Sequence, residues 1–561
     1  MPPAPRYAEL HCRSNFSFLT GASHPEELAA RGAALGLEAL ALTDRDGLYG
    51  AVRFAKAAKP TPLGAIAGVE ITLDAPELRP KRRRDLTPAE SARLPRLVLL
   101  AEDARGYANL ASAISAAQLR GKKRDARLRL EDLAGKTQGL VALSCSRQGW
   151  AEEALERGDV ATARERAATL RDLFPGSFFV ELQHHLRPED ARTIGAQVAL
   201  AEELGLPYVA TNGAAYATRD DALLCDVLTC VKYGTSLQNA GTLLLPNHEF
   251  YLKSPAQMAR IFAPYPAAIE NTLAIAARCA FRLAKLAGQF PLFPIPPEES
   301  SMHGYLRTLV AAGARRRYGH PLPIDVERQL EYELGIIARM DLAGYFVVVW
   351  DIAREAERIG VLCQGRGSAA NSAVCYALGI TAVDPIKMNL LFERFLSEER
   401  NEIPDIDIDF AHQDREKVIQ YVYERYDREH AAMTAEVITY RTRSAIRDIG
   451  KALGLSLAQV DAVAKEYDAR ESLAGATGSE YDGRSTLPAS IQRRRDLDAG
   501  SNQRLSRAEA GDQPAQSRGR AYAPGFQSAD DGAALPAIAG NAIAVRSHEP
   551  HKPNAFYGFK G

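Results

Sequence analysis

Pro404-Asp405-Ile406-Asp407-Ile408-Asp409-Phe410 alternates acidic and apolar residues without a break. In a β-strand, residues two apart share a face. Asp405, Asp407 and Asp409 therefore point one way, while Ile406, Ile408 and Phe410 point into a core. Carboxylates packed on one face repel each other unless a cation sits among them. Oxygen donors without His or Cys favour Mg²⁺ over zinc. Two such ions can clamp the attacking and leaving oxygens of a phosphoryl transfer. Read alone, the same stretch also fits an exposed acidic edge strand or a calcium site.

Working upstream, Gly365-Arg366-Gly367-Ser368-Ala369-Ala370-Asn371-Ser372 opens a helical segment. Small residues let backbone N–H groups approach phosphate oxygens, and a helix N-terminus adds a favourable field. Arg366 can pair with phosphate in a forked geometry. The run lacks the GK[ST] ending of a nucleotide-binding P-loop, and a plain helix entry explains it as well. Between the turn and the acidic strand lies Arg394, in Phe392-Glu393-Arg394-Phe395. A phosphate cradle beside a metal-binding strand points to nucleotidyl transfer.

The rest of the chain sets the frame. At 561 residues it is too long for one core. Hydrophobic residues make up 46% and charged residues 25%, as in ordinary globular proteins, and the formal net charge is −1. Local basic runs exist at Lys81–Arg84, Arg120–Arg129 and Arg315–Arg317, each explained equally well by a solvated face. Seven cysteines without a CxxC pair argue against a zinc knuckle or a disulfide framework. No apolar run approaches membrane-spanning length, so the chain reads as cytoplasmic. Strands are expected at Ala39–Leu42, Ala65–Ile71, Arg96–Ala101, Leu140–Ser144, Phe178–Leu182 and Tyr208–Thr211, with helices between. Ser23 and Glu26 form a capping box for the first helix. This repetition favours a parallel α/β fold, such as a barrel. Helical spacing follows through Leu330, Leu334, Ile337 and Met340, and a helix is expected over Arg415–Tyr426. Beyond Glu466 apolar periodicity fades, and residues 467–561 read as a disordered tail.

Glu333–Ile336, Ala343–Phe346, Gly365–Ser368, Leu390–Leu396 and Pro404–Phe410, continued by Ala445–Gly450, together resemble the palm and thumb of bacterial C-family DNA polymerases. Within that family the stretch His11–Pro25 is more similar to the error-prone branch than to the replicative one. The resemblance implies an N-terminal PHP domain over 1–285, a distorted α/β barrel. It implies a mixed α+β palm over 286–435 and the start of a helical thumb over 436–466. It casts Asp405 and Asp407 as Mg²⁺-binding catalytic aspartates, and Gly367 and Ser368 as the triphosphate turn with Arg366 and Arg394 as helpers. The role of Asp409 stays open. Primed DNA and deoxynucleoside triphosphates are the implied substrates, with DNA-damage-response proteins as implied partners.

In metal-binding PHP domains, clustered His, Asp and Glu activate water for phosphoester hydrolysis. Here His11, Asp44 and Glu70 match such ligands, but Arg13 and Arg45 stand where histidines are expected. Gly213 and Ala215 replace a further Asp and His. An arginine beside a bound cation sets like charge against like in a low-dielectric pocket. The resemblance therefore implies a vestigial site and a structural scaffold, with His184-His185 as a weak candidate to rescue one ligand. No match to a third catalytic aspartate is seen after Tyr467, so the polymerase half reads as incomplete. The alternatives are a non-catalytic piece that binds DNA or a partner, and a stand-alone PHP phosphoesterase.

Overall fold

The structure, a computed structural model, describes residues 5–75, 86–87, 90, 94–121, 125–283, 293–396, 404–434, 439–477 and 543–545. Two compact units meet in sequence at Thr439 and Tyr440.

The first unit begins with seven strands. They are β1 (Ala8–Cys12), β2 (Ala39–Arg45), β3 (Gly64–Thr72), β4 (Arg96–Ala101), β5 (Leu140–Leu143), β6 (Phe178–Gln183) and β7 (Tyr208–Thr211). They form one sheet in sequential order. Nearly every strand residue is buried, as expected where helices cover one face and the barrel interior the other. Backbone bonds from Arg13 N–H to Ala214 C=O (2.8 Å) and from Ala214 N–H to His11 C=O (2.9 Å) bring the first strand back to the last. The sheet is thus a nearly closed barrel.

Three sequence expectations change here. The sheet is mixed, because β4 pairs antiparallel with both β3 and β5. The strand β1, unmarked by a clear apolar run, opens the barrel. The first helix, Pro25–Ala34, has His24 and not Ser23 at its N-cap. Its capping acid is Glu27, which accepts from His24 N–H at 2.7 Å. Ser23 Oγ instead accepts from Ala217 N–H (2.8 Å) and ties the entry of the barrel to its last turn.

A second apolar cluster runs from Phe293 through Leu306, Leu334, Phe346 and Phe392 to Val422. It is built mainly by the helices Met302–Tyr318, Ile324–Arg339 and Ala343–Arg358. Against it lies a two-stranded antiparallel ribbon of β8 (Cys363–Arg366) and β9 (Asp407–Phe410). The acidic strand is shorter than the alternation implies, since Asp405 and Ile406 precede the paired residues. Its facing is as expected: Ile406, Ile408 and Phe410 pack on the core. The helix after it spans Arg415–His430, longer than expected, with non-helical backbone at Asp427.

In the second unit the helices Thr442–Ala452 and Leu457–Thr477 pack at Gly450, where an added Cβ would lie 2.7 Å from Val460. The second helix passes the composition change at Glu466. Of the expected disordered tail, all but 467–477 and Ile543–Val545 lies outside the described residues. So do Lys81–Arg84. Among the described residues no helix is long and apolar enough to cross a membrane.

Candidate functional site

Two clusters of ionisable side chains stand out, one in each half of the first unit. The parallel strands of the barrel bring their C-terminal ends to one mouth, which gathers His11, Asp44, Arg45, Glu70 and Glu181. The antiparallel β4 runs the opposite way, so its first residue, Arg96, reaches the same mouth. Its role was not legible in sequence, because nothing there fixes the direction of one strand among seven.

At this mouth Glu70, fully buried, is surrounded by cations. Its Oε1 lies 2.8 Å from Arg45 Nε and 3.0 Å from Arg96 Nη1, and its Oε2 lies 3.5 Å from Arg13 Nη1. His11 bridges two carboxylates, with Nε2 3.1 Å from Glu70 and Nδ1 2.8 Å from Glu181. Burial pushes the Glu70 carboxyl up, but the three guanidinium groups outweigh it and hold it well below its ordinary range. Burial likewise pushes the His11 imidazole down, and Glu181 with Glu70 outweighs it, leaving it at about 9. Asp44 accepts from Ser14 N–H (2.8 Å), Ser14 Oγ (2.7 Å) and Ser17 Oγ (2.7 Å).

His11, Cys145 and Glu181 do form a group whose ligand atoms lie within 4.8 Å of one another. Both nitrogens of the His11 ring are nonetheless committed to carboxylates, and Gln183 Nε2 reaches Glu181 at 3.0 Å. Gly213 adopts a positive φ of 54°, and a Cβ there would sit 2.6 Å from Gln183 Nε2. The side chain of Gln183 thus fills the space beside Gly213. His185 does not join the cluster. Its Nε2 meets Asn212 C=O at 2.8 Å, its ring stacks on Phe250, and burial pushes its pKa down to about 4. The donor set does not fit a divalent metal, because guanidinium groups occupy the coordinating face of Glu70.

The protonation states carry a stability prediction. Burial also pushes Glu9 up to about 7 and Glu152 up to about 8. With His11, these groups hold protons in the fold at pH values where the unfolded chain has released them. His185 acts oppositely below roughly pH 6.5, where the unfolded imidazole holds a proton that the fold does not. Glu9, Glu152 and His11 together outweigh that single proton, so the folded state binds more protons in net and stability declines as pH rises from roughly 5.5 through about 9. Glu70 acts in the opposite sense below roughly pH 4.5, where protonation removes its contribution. Urea midpoints at pH 5.5, 7.5 and 9 are expected to fall in that order, and a profile flat across this range contradicts the assignment.

The second cluster lies on the β8–β9 ribbon. Arg366 pairs across from Asp407, and Gln364 across from Asp409. The chain then turns at Gly367, with a φ of 68° that favours glycine, into the short helix Gly367–Asn371. Ser368 Oγ donates to the Asp405 carbonyl at 3.3 Å, which fastens the turn to the acidic segment. Ile406 N–H donates to Tyr345 Oη at 3.0 Å. Arg366 Nε lies 2.9 Å from Asp409 Oδ2, while its closest approach to Asp407 is 3.9 Å. Asp405 and Arg394 are exposed, and Arg394 ends the short helix Phe392–Arg394. The structure thus brings Arg366, Gly367, Ser368, Asp405 and Asp407 together, and shows no hydrogen bond or ion pair from Arg394 to them.

Sequence reading missed the residue that anchors this turn. Glu333, fully buried, accepts from Ser372 Oγ (2.7 Å), Ala373 N–H (2.9 Å) and Val374 N–H (3.0 Å). It fixes the backbone where the turn hands over to the next helix. The signal was an acid on the apolar side of a helix, at the heptad-like spacing of Val326, Leu330, Glu333 and Leu334.

Comparison with known proteins fits this two-part architecture. Residues 9–185 match the PHP domain, and residues 304–501 match the bacterial DNA polymerase III alpha NTPase domain. The second match continues beyond Tyr467, past the point where sequence reading saw the resemblance stop. An error-prone DNA polymerase of Anaeromyxobacter sp. (strain K) is 39% identical over 578 residues, covering 88% of this chain and 48% of that protein. One from Mycobacterium tuberculosis (strain ATCC 25618 / H37Rv) is 45% identical over 464 residues, covering 82% and 41%. One from Nocardia farcinica is 42% identical over 517 residues, covering 85% and 45%. The chain spans about half the length of the curated relatives it matches. Along one polypeptide the chain is thus similar first to the PHP domain, then to the bacterial DNA polymerase III alpha NTPase domain, and over most of its length to error-prone DNA polymerases.

Proposed function

We propose that this chain carries the metal- and triphosphate-binding face of an error-prone, template-directed DNA polymerase acting in DNA repair and replication. The observation that carries the reading is the β8–β9 ribbon, which sets the Arg366–Ser368 turn beside Asp405 and Asp407. Those two aspartates are the residues to hold Mg²⁺. The donors there are hard oxygens, and among the described residues the Arg366 guanidinium stands 3.9 Å from Asp407. When bound, Mg²⁺ supplies charge neutralisation of the transferring phosphoryl group. Arg366 and Arg394 pair with the triphosphate, and Gly367 lets backbone N–H groups approach it closely. Ser368 offers a hydroxyl at the same edge.

The partners that follow are a primed DNA template and deoxynucleoside triphosphates, with DNA-damage-response proteins as accessories in the cytoplasm. The division runs as PHP over 1–285, the first part of the palm over 286–435 and the start of the thumb over 436–466. The PHP domain is a scaffold without hydrolase activity, because its mouth is cross-linked by arginines. A fluorescent deoxynucleoside triphosphate titrated with Mg²⁺ onto the chain tests the assignment. A charge-assisted bond lost from Arg366→Ala or Arg394→Ala is expected to weaken binding roughly tenfold or more. Binding unchanged in both variants contradicts it.

A further inference from the structure

Asp409 has no part in that reading, and the ribbon gives it one. Arg366, Gln364, Asp407 and Asp409 share a face, since cross-strand partners and residues two apart point the same way. The acid directly opposite Arg366 is Asp407, and a direct pairing of the two is the arrangement that register favours. The guanidinium instead reaches diagonally, placing Nε 2.9 Å from Asp409 Oδ2 and leaving Asp407 Oδ2 beyond hydrogen-bond distance at 3.9 Å.

We infer that Asp409 is a positioning residue that draws Arg366 off Asp407, so that the Asp407 carboxylate stays available to a divalent cation. The inference rests on the reading that Asp405 and Asp407 hold that cation. Without Asp409, the ion pair left to Arg366 among the described residues is with Asp407, and a guanidinium bound there competes with the metal for the same oxygens. The latch is also soft. Its side chains are 41% and 55% exposed, so the pair is weakly held. A phosphate, which offers a forked pairing, can take the guanidinium from it. Asp409 thereby keeps Arg366 poised between an empty and a triphosphate-bound site.

A double-mutant cycle read by Mn²⁺ electron paramagnetic resonance separates this role from direct metal ligation. The full chain is compared with Asp409→Asn, Arg366→Gln, the two combined, and Asp405→Asn/Asp407→Asn as reference. Asp409→Asn is expected to weaken Mn²⁺ binding roughly three- to fivefold when Arg366 is present. It is expected to change nothing when Arg366 is already Gln. An equal loss in both backgrounds makes Asp409 a ligand and overturns the inference, as does no loss in either. If the reference variant binds Mn²⁺ as tightly as the unaltered chain, the underlying metal reading has failed and the inference falls with it. Both positions lie on an exposed strand face, so circular dichroism is expected to show all variants folded.

Discussion

Glu70→Ala is expected to destabilise the barrel by about 3–5 kcal/mol, the range for removing one partner of a buried ion cluster. The reason is the imbalance left behind. Arg13, Arg45 and Arg96 converge on this one carboxylate, and His11 adds a fourth positive neighbour. Three guanidinium groups that are 12% exposed or less cannot recover their hydration without opening the mouth. Glu70→Gln keeps the shape and two acceptor lone pairs but loses the charge, and is expected to fall between the two. Urea unfolding with an unchanged m-value checks the prediction. A cost under about 1 kcal/mol for Glu70→Ala contradicts the view that converging arginines hold this mouth of the barrel together.

That view also explains what could be read from sequence at this end of the molecule. Arg13 and Arg45 were legible as losses, because each stands where a ligand is expected. Their gain was not legible. That both turn toward Glu70, and that Arg96 joins them, depends on the barrel closing and on β4 running backwards. Strand β1 was missed for a related reason. Ala8-Glu9-Leu10-His11-Cys12 reads as mixed in polarity, yet Glu9 and His11 are both buried because Asn212 and Glu181 arrive from distant segments to meet them.

At the other end the alternation of Pro404–Phe410 gave the facing of each side chain, since a period of two leaves no other choice once Ile406 and Ile408 meet a core. The ribbon partner was less accessible. The glycine turn looked like the start of a helix, whereas Cys363–Arg366 before it is the strand that pairs with the acidic one. The short helix Gly367–Asn371 comes only after Gly367 has turned the chain. Glu333 gave only a weak signal, an acid among apolar helix positions, because Ser372, Ala373 and Val374 close on it from 39 to 41 residues away.

The central proposal is that Asp405 and Asp407, beside the Arg366–Ser368 turn, carry template-directed nucleotidyl transfer without a third matched aspartate in this chain. Primer extension on a primed template with Mg²⁺ and all four deoxynucleoside triphosphates tests it most directly. The unaltered chain is compared with its Asp405→Ala/Asp407→Ala variant. The account predicts extension by the unaltered chain and a loss on the order of a thousandfold or more in the variant, the scale of removing several kcal/mol of metal-borne charge stabilisation. No extension from folded, unaltered chain, or extension that survives the double substitution, would contradict it.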